Sequence, residues 1–184
     1  MKTYVVLLRA VNVGGTGSLP MTELKAMCER IGGRGVRTYI ASGNALLESS
    51  KTATQVKKAL EAELAHYAGK PVGVAVRTAR ELAEVLAGNP FPEAAPNKTV
   101  AIFLDEAPAK SALSGVTGAS REEVRLGKRE FYVHYPDGQG RSKLKIPGAA
   151  AGTARNMNTI AKLVEMAGSA MGSDPKARPT LRAR

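Results

Sequence analysis

The sequence predicts an α+β fold made of two ferredoxin-like halves, the second of which has a final strand that is missing or irregular. Over residues 1–77, apolar runs typical of strands and segments with helical spacing follow the order strand, helix, strand, strand, helix, strand. This is the order of the split βαβ unit. Residues 99–168 repeat strand, helix, strand, strand, helix. We therefore expect a first half at 1–77, a helix and linker at 78–98, and a second half at 99–168.

The first strand and helix of the chain are indicated by an apolar run and by helical spacing. The run from Thr3 to Arg9 predicts a buried strand, and a glycine-rich loop leads from it to a helix that begins near Met21. Apolar residues of this helix recur three and four positions apart, as one helical face requires. Cys28 lies on that face, so we expect a packed core thiol.

A hairpin and a second helix complete the first half. The β-rich runs Val36–Ile40 and Ala45–Glu48 flank the segment ASGN, whose residues favour turns. A helix is predicted from about Thr54 to Tyr67, and Val72–Val76 is the fourth strand. Thr78 is then expected to cap a third helix.

The second half is predicted from a strand, a hairpin and a long final helix. Residues 99–105 form an apolar run, and residues 108–116 are a short helical segment. Alternating residues on either side of Gly127 and Lys128 indicate another hairpin. The final helix runs from about Asn156 to Ala167, with an apolar face at helical spacing.

Residues 169–184 are predicted to be a disordered basic tail. The last fifteen residues contain Pro175 and Pro179, few large apolar side chains, and four positive charges against one carboxylate. Such a composition cannot bury enough apolar surface to offset its ordering entropy.

The charge of the chain makes anionic partners worth considering. The formal net charge is +11 and the sequence pI is about 10.0, of which the tail holds +3 and the body +8. Nucleic acid, nucleotides and phosphorylated metabolites all fit a basic body. Ordinary solubility charge is an equally good explanation and requires no partner.

Composition argues against metals, common cofactors and a membrane location. One cysteine and two histidines, His66 and His134, do not provide the usual ligand sets of a transition-metal site. No P-loop, dinucleotide fingerprint or G-x-S-x-G elbow occurs. The first apolar run, YVVLL, is too short for a signal peptide or a membrane span. We therefore expect a cytoplasmic protein without a metal or cofactor.

Three stretches together identify a family resemblance. They are LLRAVNVGG at residues 7–15, TYIASGN at the hairpin, and TARNMNTIAKL at the last helix. In order and separation they resemble the bacterial domain of unknown function 1697. The resemblance implies two ferredoxin-like halves and an unassigned activity. The chain departs from the family pattern at Ala10, Ala41 and Met157, where glycine, glutamine and tryptophan are expected.

Polar residues at two strand ends are candidates for one ligand site. The first and third strands of a ferredoxin-like sheet are central and antiparallel, so the end of one lies beside the start of the other. Glycine backbone N–H groups and a helix start nearby would suit an anion. The alternative is that these residues are turn formers or structural partners. The candidates are Arg9, Asn12, Gly14, Gly15, Ser42, Gly43 and Asn44.

A second group of polar residues lies near the predicted final helix. Its arginines and lysine supply cationic donors, and its hydroxyl and amide groups crowd around the predicted helix start. A helix cap needs one such residue rather than four, although a simple cap with solvated arginines remains the alternative. The candidates are Arg141, Lys143, Thr153, Arg155, Asn156, Asn158 and Thr159.

The favoured function is binding of a small anionic ligand, such as a nucleotide or a phosphate or carboxylate metabolite. Three alternatives stay open: an enzyme acting on a phosphorylated substrate, a binder of nucleic-acid phosphates, and a structural protein that uses a sheet edge. Nucleic acid is not favoured, because the basic residues form no long stripe along the sequence. Aromatic residues for base stacking also amount to only 4% of the chain.

Overall fold

The computed structural model describes residues 1–12 and 17–171, which form an α+β fold with two four-stranded antiparallel sheets. The predicted fold class is thus confirmed at the level of α+β. Gly14 and Gly15 of the predicted site, and residues 172–184 of the predicted tail, lie outside the described residues.

The first part of the chain forms β1 (Lys2–Leu8), α1 (Met21–Arg30), β2 (Arg34–Tyr39), β3 (Asn44–Ser49), α2 (Ala53–Ala68) and β4 (Val74–Thr78). The first sheet has the strand order β2-β3-β1-β4, with the two predicted central strands, β1 and β3, in the middle. Leu7 of β1 pairs with Asn44 at the start of β3, so the two predicted strand ends are neighbours.

After α3 (Ala79–Ala87), the chain forms β5 (Thr99–Phe103), β6 (Glu123–Leu126), β7 (Glu130–His134), β8 (Thr153–Asn156) and α4 (Met157–Met171). The second sheet has the order β6-β7-β5-β8, which is the order of the first sheet when strands are counted within each sheet. Short 3₁₀ helices lie at Pro96–Lys98, Lys110–Gly115, Gln139–Arg141 and Pro147–Ala149.

The expectation that the second half lacks a regular final strand is wrong. The strand is β8, which pairs with β5 and precedes the last helix instead of following it. Its four residues, TARN, carry no apolar run, and the predicted helix begins only at the last of them, Asn156. The helix itself continues to Met171, three residues into the segment predicted as tail.

The helices form two layers around the first sheet. Residues of α1 and α2, including the buried Cys28, pack on one face of that sheet. Residues of α3 and α4 pack between its other face and the second sheet. On the far side of the second sheet, Leu144 and Ile146 of an irregular segment cover Val100 and Val133.

Local contacts confirm the predicted cap of the third helix. The Thr78 hydroxyl accepts the Glu81 N–H, and the Glu81 carboxylate accepts the Thr78 N–H in return.

None of the helices in the described ranges has the length and apolar character needed to cross a bilayer. Residues 1–12 and 17–171 contain no group of three or more acidic, histidine or cysteine side chains arranged to hold a metal.

Candidate anion-binding site

Arg155, a predicted ligand residue, is buried against the end of the first sheet. Only 8% of the residue is exposed. Its Nη2 donates to the carbonyls of Leu8 at 2.8 Å, Ser42 at 2.9 Å and Gly43 at 3.2 Å. Nε donates to Oδ1 of Asn44 at 2.6 Å. Burial lowers the pKa of Arg155 to about 10.

The hairpin residues predicted for the site are the acceptors of this arginine. Asn44 is fully buried, and its Nδ2 donates to the Tyr39 carbonyl and the Ser42 hydroxyl. A Cβ on Gly43 would lie 2.5 Å from Cγ2 of Val11. The fold therefore brings Ser42, Gly43, Asn44 and Arg155 together, and their described polar contacts join the two sheets.

Asn12 fixes the loop that follows β1. Its Oδ1 accepts the Leu19 N–H at 2.7 Å, and its Nδ2 donates to the carbonyls of Leu19 at 2.9 Å and Ala41 at 2.7 Å. The amide thus uses both of its polar atoms on the backbone and holds the β1 loop against the β2–β3 turn.

Arg77, which sequence reasoning missed, is the counterpart of Arg155 in the first sheet. The residue is 2% exposed, and its Nη2 donates to the carbonyls of Leu104 at 2.6 Å and Arg129 at 3.1 Å. The guanidinium also lies over the Phe103 ring, 5.4 Å from its centroid. Burial first, and the nearby Arg129 second, lower the pKa of Arg77.

A short sequence repeat marks these two arginines. RTARELAEVL begins at Arg77 and RNMNTIAKLV begins at Arg155. In each, the arginine precedes a capping residue, and apolar residues occupy the sixth, ninth and tenth positions. This signal was available in the sequence and would have identified Arg77.

The remaining residues of the second predicted group lie in β8, at the start of α4 and in the irregular segment before β8. Asn156 is the helix cap, since its Oδ1 accepts the Thr159 N–H at 2.9 Å. Thr153 and Thr159 are buried, whereas Asn158 is exposed. Arg141 and Lys143 are exposed on the irregular segment before β8. The second predicted group therefore combines buried residues with exposed ones.

Arg9 lines a cavity of about 500 Å³ beside the first sheet. One of its donors, Nη2, binds the Ala150 carbonyl, and its guanidinium carries five N–H groups in all. Lys70, just after α2, is the other cation of the lining. The described lining residues include no carboxylate, histidine or cysteine.

The rest of the lining is apolar, apart from two hydroxyl-bearing side chains. Leu19, Leu64 and Val72 contribute apolar surface, and Ser18 and Tyr67 contribute hydroxyls. Tyr67 is 47% exposed. A flat aromatic ring and two cations therefore border the same space.

Backbone strain is concentrated at this end of the first sheet. Among the described residues, Ala10, Asn12 and Ile40 are the non-glycine residues with positive φ, at 48°, 55° and 50°. Such conformations cost about 1–3 kcal/mol each and are enriched at functional sites. Ala10 lies in the cavity wall, and Asn12 connects its loop to the turn that holds Ile40.

A second cavity, of about 590 Å³, lies between α3 and the β6–β7 hairpin. Its lining includes three carboxylates, and two of them bind two of its cations: Glu81 binds Arg129 and Glu84 binds Lys128, both at 2.8 Å. The first cavity is therefore the better candidate for an external anion.

Comparisons with known proteins agree with the fold and assign no activity. A family model described as "Protein of unknown function (DUF1697)" matches residues 1–132. No curated protein matches the chain. The structure of conserved bacterial protein SP0830 from Streptococcus pneumoniae is similar, with a TM-score of 0.73 and 22% identity over 90% of this chain and 98% of that one.

Proposed function

Because the chain belongs to DUF1697, a family of proteins of unknown function, we propose its function from the cavity: it binds a small anionic ligand between Arg9 and Lys70. The observation that carries the proposal is a lining with two cations and no carboxylate among its described residues. An anion placed there gains charge-assisted hydrogen bonds without competition from a built-in acid.

The shape of the cavity suits a small organic anion. Its volume of about 500 Å³ is within the range of small-molecule sites. Leu64 and Val72 offer apolar surface to the body of a ligand, and the Tyr67 ring offers a face for stacking. A nucleotide or an aromatic carboxylate combines both features.

The lining favours binding over a reaction. General acid–base catalysis requires a carboxyl, imidazole or similar group within hydrogen-bond reach of the ligand. The described lining provides the hydroxyls of Ser18 and Tyr67 instead, with no described base beside them. Ligand binding is the function that these groups support best.

A thermal-shift screen tests the proposal. Inorganic phosphate, a mononucleotide and a small aromatic carboxylate are added at low salt, and ligand that binds only the native state raises the melting temperature. We expect the shift to disappear in Lys70→Gln and to persist in Lys58→Gln, which removes an exposed lysine elsewhere on α2. If none of these anions raises the melting temperature of the parent, the proposal fails.

We also propose that residues 1–77 and 99–168 are two ferredoxin-like halves related by duplication, joined by residues 78–98. The shared strand order of the two sheets supports this. The repeat that begins at Arg77 and Arg155 also supports a duplication, and it makes α3, within residues 78–98, the counterpart of α4. In the second half, 3₁₀ turns and irregular segments take the places of the two helices of the first.

A further inference from the structure

Residues 141–146, which begin at the end of the 3₁₀ helix Gln139–Arg141 and continue as extended backbone before β8, expose three cations. Arg141, Lys143 and Lys145 are exposed, whereas the residues between and after them are half-buried. Two of those residues, Leu144 and Ile146, pack against the apolar cluster on the outer face of the second sheet. The alternation points the cations away from the protein at two-residue spacing.

The segment is held in place along its length. The Ser142 hydroxyl donates to the Glu122 carboxylate at 2.5 Å. Lys145 and Thr117 exchange two backbone hydrogen bonds, at 2.8 Å and 3.0 Å. The cations therefore project from a fixed backbone. Glu122 is the one carboxylate among the partners in these contacts, and it binds Ser142.

Folding extends this surface beyond the segment. The 3₁₀ helix Lys110–Gly115 packs against the 3₁₀ helix Pro147–Ala149 and adds the exposed Lys110. Arg9 binds the carbonyl of Ala150, the next residue along the chain. We name this surface the basic track, and it consists of Arg141, Lys143, Lys145, Lys110 and Arg9.

The track is not neutralised by the residues that the structure describes. None of its five cations forms an ion pair within residues 1–12 and 17–171. Along the sequence these cations form no long stripe, because Arg9 and Lys110 are far from residues 141–145. The segments that carry them come into contact only in the folded protein.

The spacing fits a chain of phosphates better than a single small anion. An extended backbone rises about 3.3 Å per residue, so Lys143 and Lys145, two residues apart, are spaced by about 6.6 Å along it. A polyanion engages several such cations at once and gains the entropy of released counterions. A protein partner would need an apolar centre, and of the large exposed apolar residues described only Leu113 lies in these segments.

We propose that the basic track binds the phosphate backbone of single-stranded nucleic acid without reading its bases. The scarcity of aromatic residues argues against base stacking, and cations alone suffice for backbone binding. The inference does not depend on the cavity, although Arg9 belongs to both surfaces.

Fluorescence anisotropy with a labelled oligothymidylate of about 20 nucleotides tests the inference, since this length covers one or more single-strand sites. The full chain is compared with the triple variant Arg141→Ala, Lys143→Ala, Lys145→Ala. The matched control, Lys2→Ala, Arg34→Ala, Lys58→Ala, removes the same number of exposed arginines and lysines from the first-sheet region. All three proteins carry the same residues 172–184.

We expect the track variant to bind at least tenfold more weakly than the parent at about 100 mM salt. The slope of log affinity against log salt concentration falls by about 0.7 for each lost phosphate contact, so the loss of three contacts should lower this slope by about two. The control variant should bind within about twofold of the parent, since its cations lie outside the track. A milder variant, Lys143→Gln with Lys145→Gln, should lower the slope by about 1.4 and guards against misfolding of the triple variant.

Three results would overturn the inference. Equal losses in the track and control variants would mean that binding follows net charge. Unchanged binding in both track variants would place it elsewhere in the chain. If the parent binds poly-glutamate more tightly than the oligonucleotide, and the track variant loses this binding, the surface binds an acidic protein instead. Nucleotide shifts in the thermal screen test the cavity separately.

Discussion

Arg77 and Arg155 occupy the same position in the two sheets, and each crosses to the backbone of the other sheet. Each precedes the capping residue of a helix, Thr78 or Asn156. Arg155 reaches the Leu8 carbonyl at the end of β1, and Arg77 reaches the Leu104 carbonyl just after β5. The two contacts are reciprocal, as in an isologous dimer interface.

The acceptors of these two arginines also correspond. Leu8 N–H donates to Gly43, and Leu104 N–H donates to Arg129, both at 2.8 Å. The same two acceptor residues, Gly43 and Arg129, receive a guanidinium bond from the opposite sheet. Carbonyls at the ends of central strands thus replace carboxylates as partners of two buried cations, which fixes the orientation of the sheets.

Removing Arg155 should destabilise the protein strongly. In Arg155→Met the buried Oδ1 of Asn44 and the carbonyls of Leu8 and Ser42 lose their donor. Each buried acceptor left unsatisfied costs about 1–3 kcal/mol, so with three of them we expect the free energy of unfolding to fall by at least about 3 kcal/mol. Urea denaturation followed by circular dichroism measures the loss.

Arg155→Lys should recover little of this loss, since an ammonium cannot reproduce the planar fork that spans several acceptors. Arg34→Met, at an exposed position, should change stability by less than about 0.5 kcal/mol. An Arg155→Met protein as stable as the parent would mean that the hydrogen bonds of Arg155 contribute nothing to the contact between the sheets.

Arg77→Met should also destabilise the protein, because it removes the donor of the reciprocal contact between the sheets. The carbonyls of Leu104 and Arg129 lose a donor, and Phe103 loses its cation–π partner. The two arginines share no hydrogen-bond partner, so losses in the double variant should add within about 0.5 kcal/mol. A coupling energy above about 1 kcal/mol, measured by a double-mutant cycle, would show that the two contacts act as one unit.

Arg9→Ala should weaken anion binding more than it weakens folding. Arg9 is exposed, and its described side-chain hydrogen bond is to the Ala150 carbonyl, whereas a charge-assisted bond to a ligand contributes about 1.5–3 kcal/mol. Isothermal titration with the anion that gives the largest thermal shift measures the affinity, and thermal denaturation without ligand measures the stability. Unchanged affinity with a clear loss of stability would identify Arg9 as a structural partner.

Much of the fold was predictable because its elements follow strong local patterns. The period of α1, the turn ASGN and the Thr78 cap each place an element where the structure has it. The short strand β8 was not predictable in the same way, since its pairing with β5 spans about fifty residues and its side chains have no apolar alternation. Local preference decides long elements, and tertiary pairing decides short ones.

The candidate site was predictable only in part, because sequence patterns do not distinguish a buried arginine from an exposed one. Arg155 and Asn44 were predicted as ligand groups, yet their described contacts join the two sheets. No sequence motif marks Lys70, which lines the cavity because it follows the C-cap of α2. The adjacency of the β1 and β3 ends was predicted correctly from strand order.

Gly43→Ala, in the β2–β3 turn, should destabilise the protein more than Gly35→Ala, in β2. Both glycines have positive φ, at +83° and +57°, but a Cβ on Gly43 would meet Val11 at 2.5 Å and Leu8 at 2.9 Å, whereas Gly35 has open space. We expect about 1 kcal/mol for Gly35→Ala from its backbone conformation. Gly43→Ala should cost about 1–3 kcal/mol more from overpacking. Equal melting temperatures would show that the turn relaxes without strain.

Cys28 should make stability fall at alkaline pH. Burial first, and the Glu29 carboxylate second, raise the pKa of its thiol from 9.0 to about 12. The folded state therefore keeps a proton that the unfolded chain releases above about pH 9, so the stabilisation is complete below that pH and declines as pH rises towards 12.

Between neutral pH and about pH 10.5, the free energy of unfolding of the parent should fall by about 2 kcal/mol more than that of Cys28→Ala, although the variant is less stable at neutral pH. Urea denaturation of both proteins between about pH 7 and 10.5 isolates this thiol from the lysines and tyrosines, which titrate equally in the two chains. Parallel pH profiles would mean that the thiol ionises in the folded protein as readily as in the unfolded one.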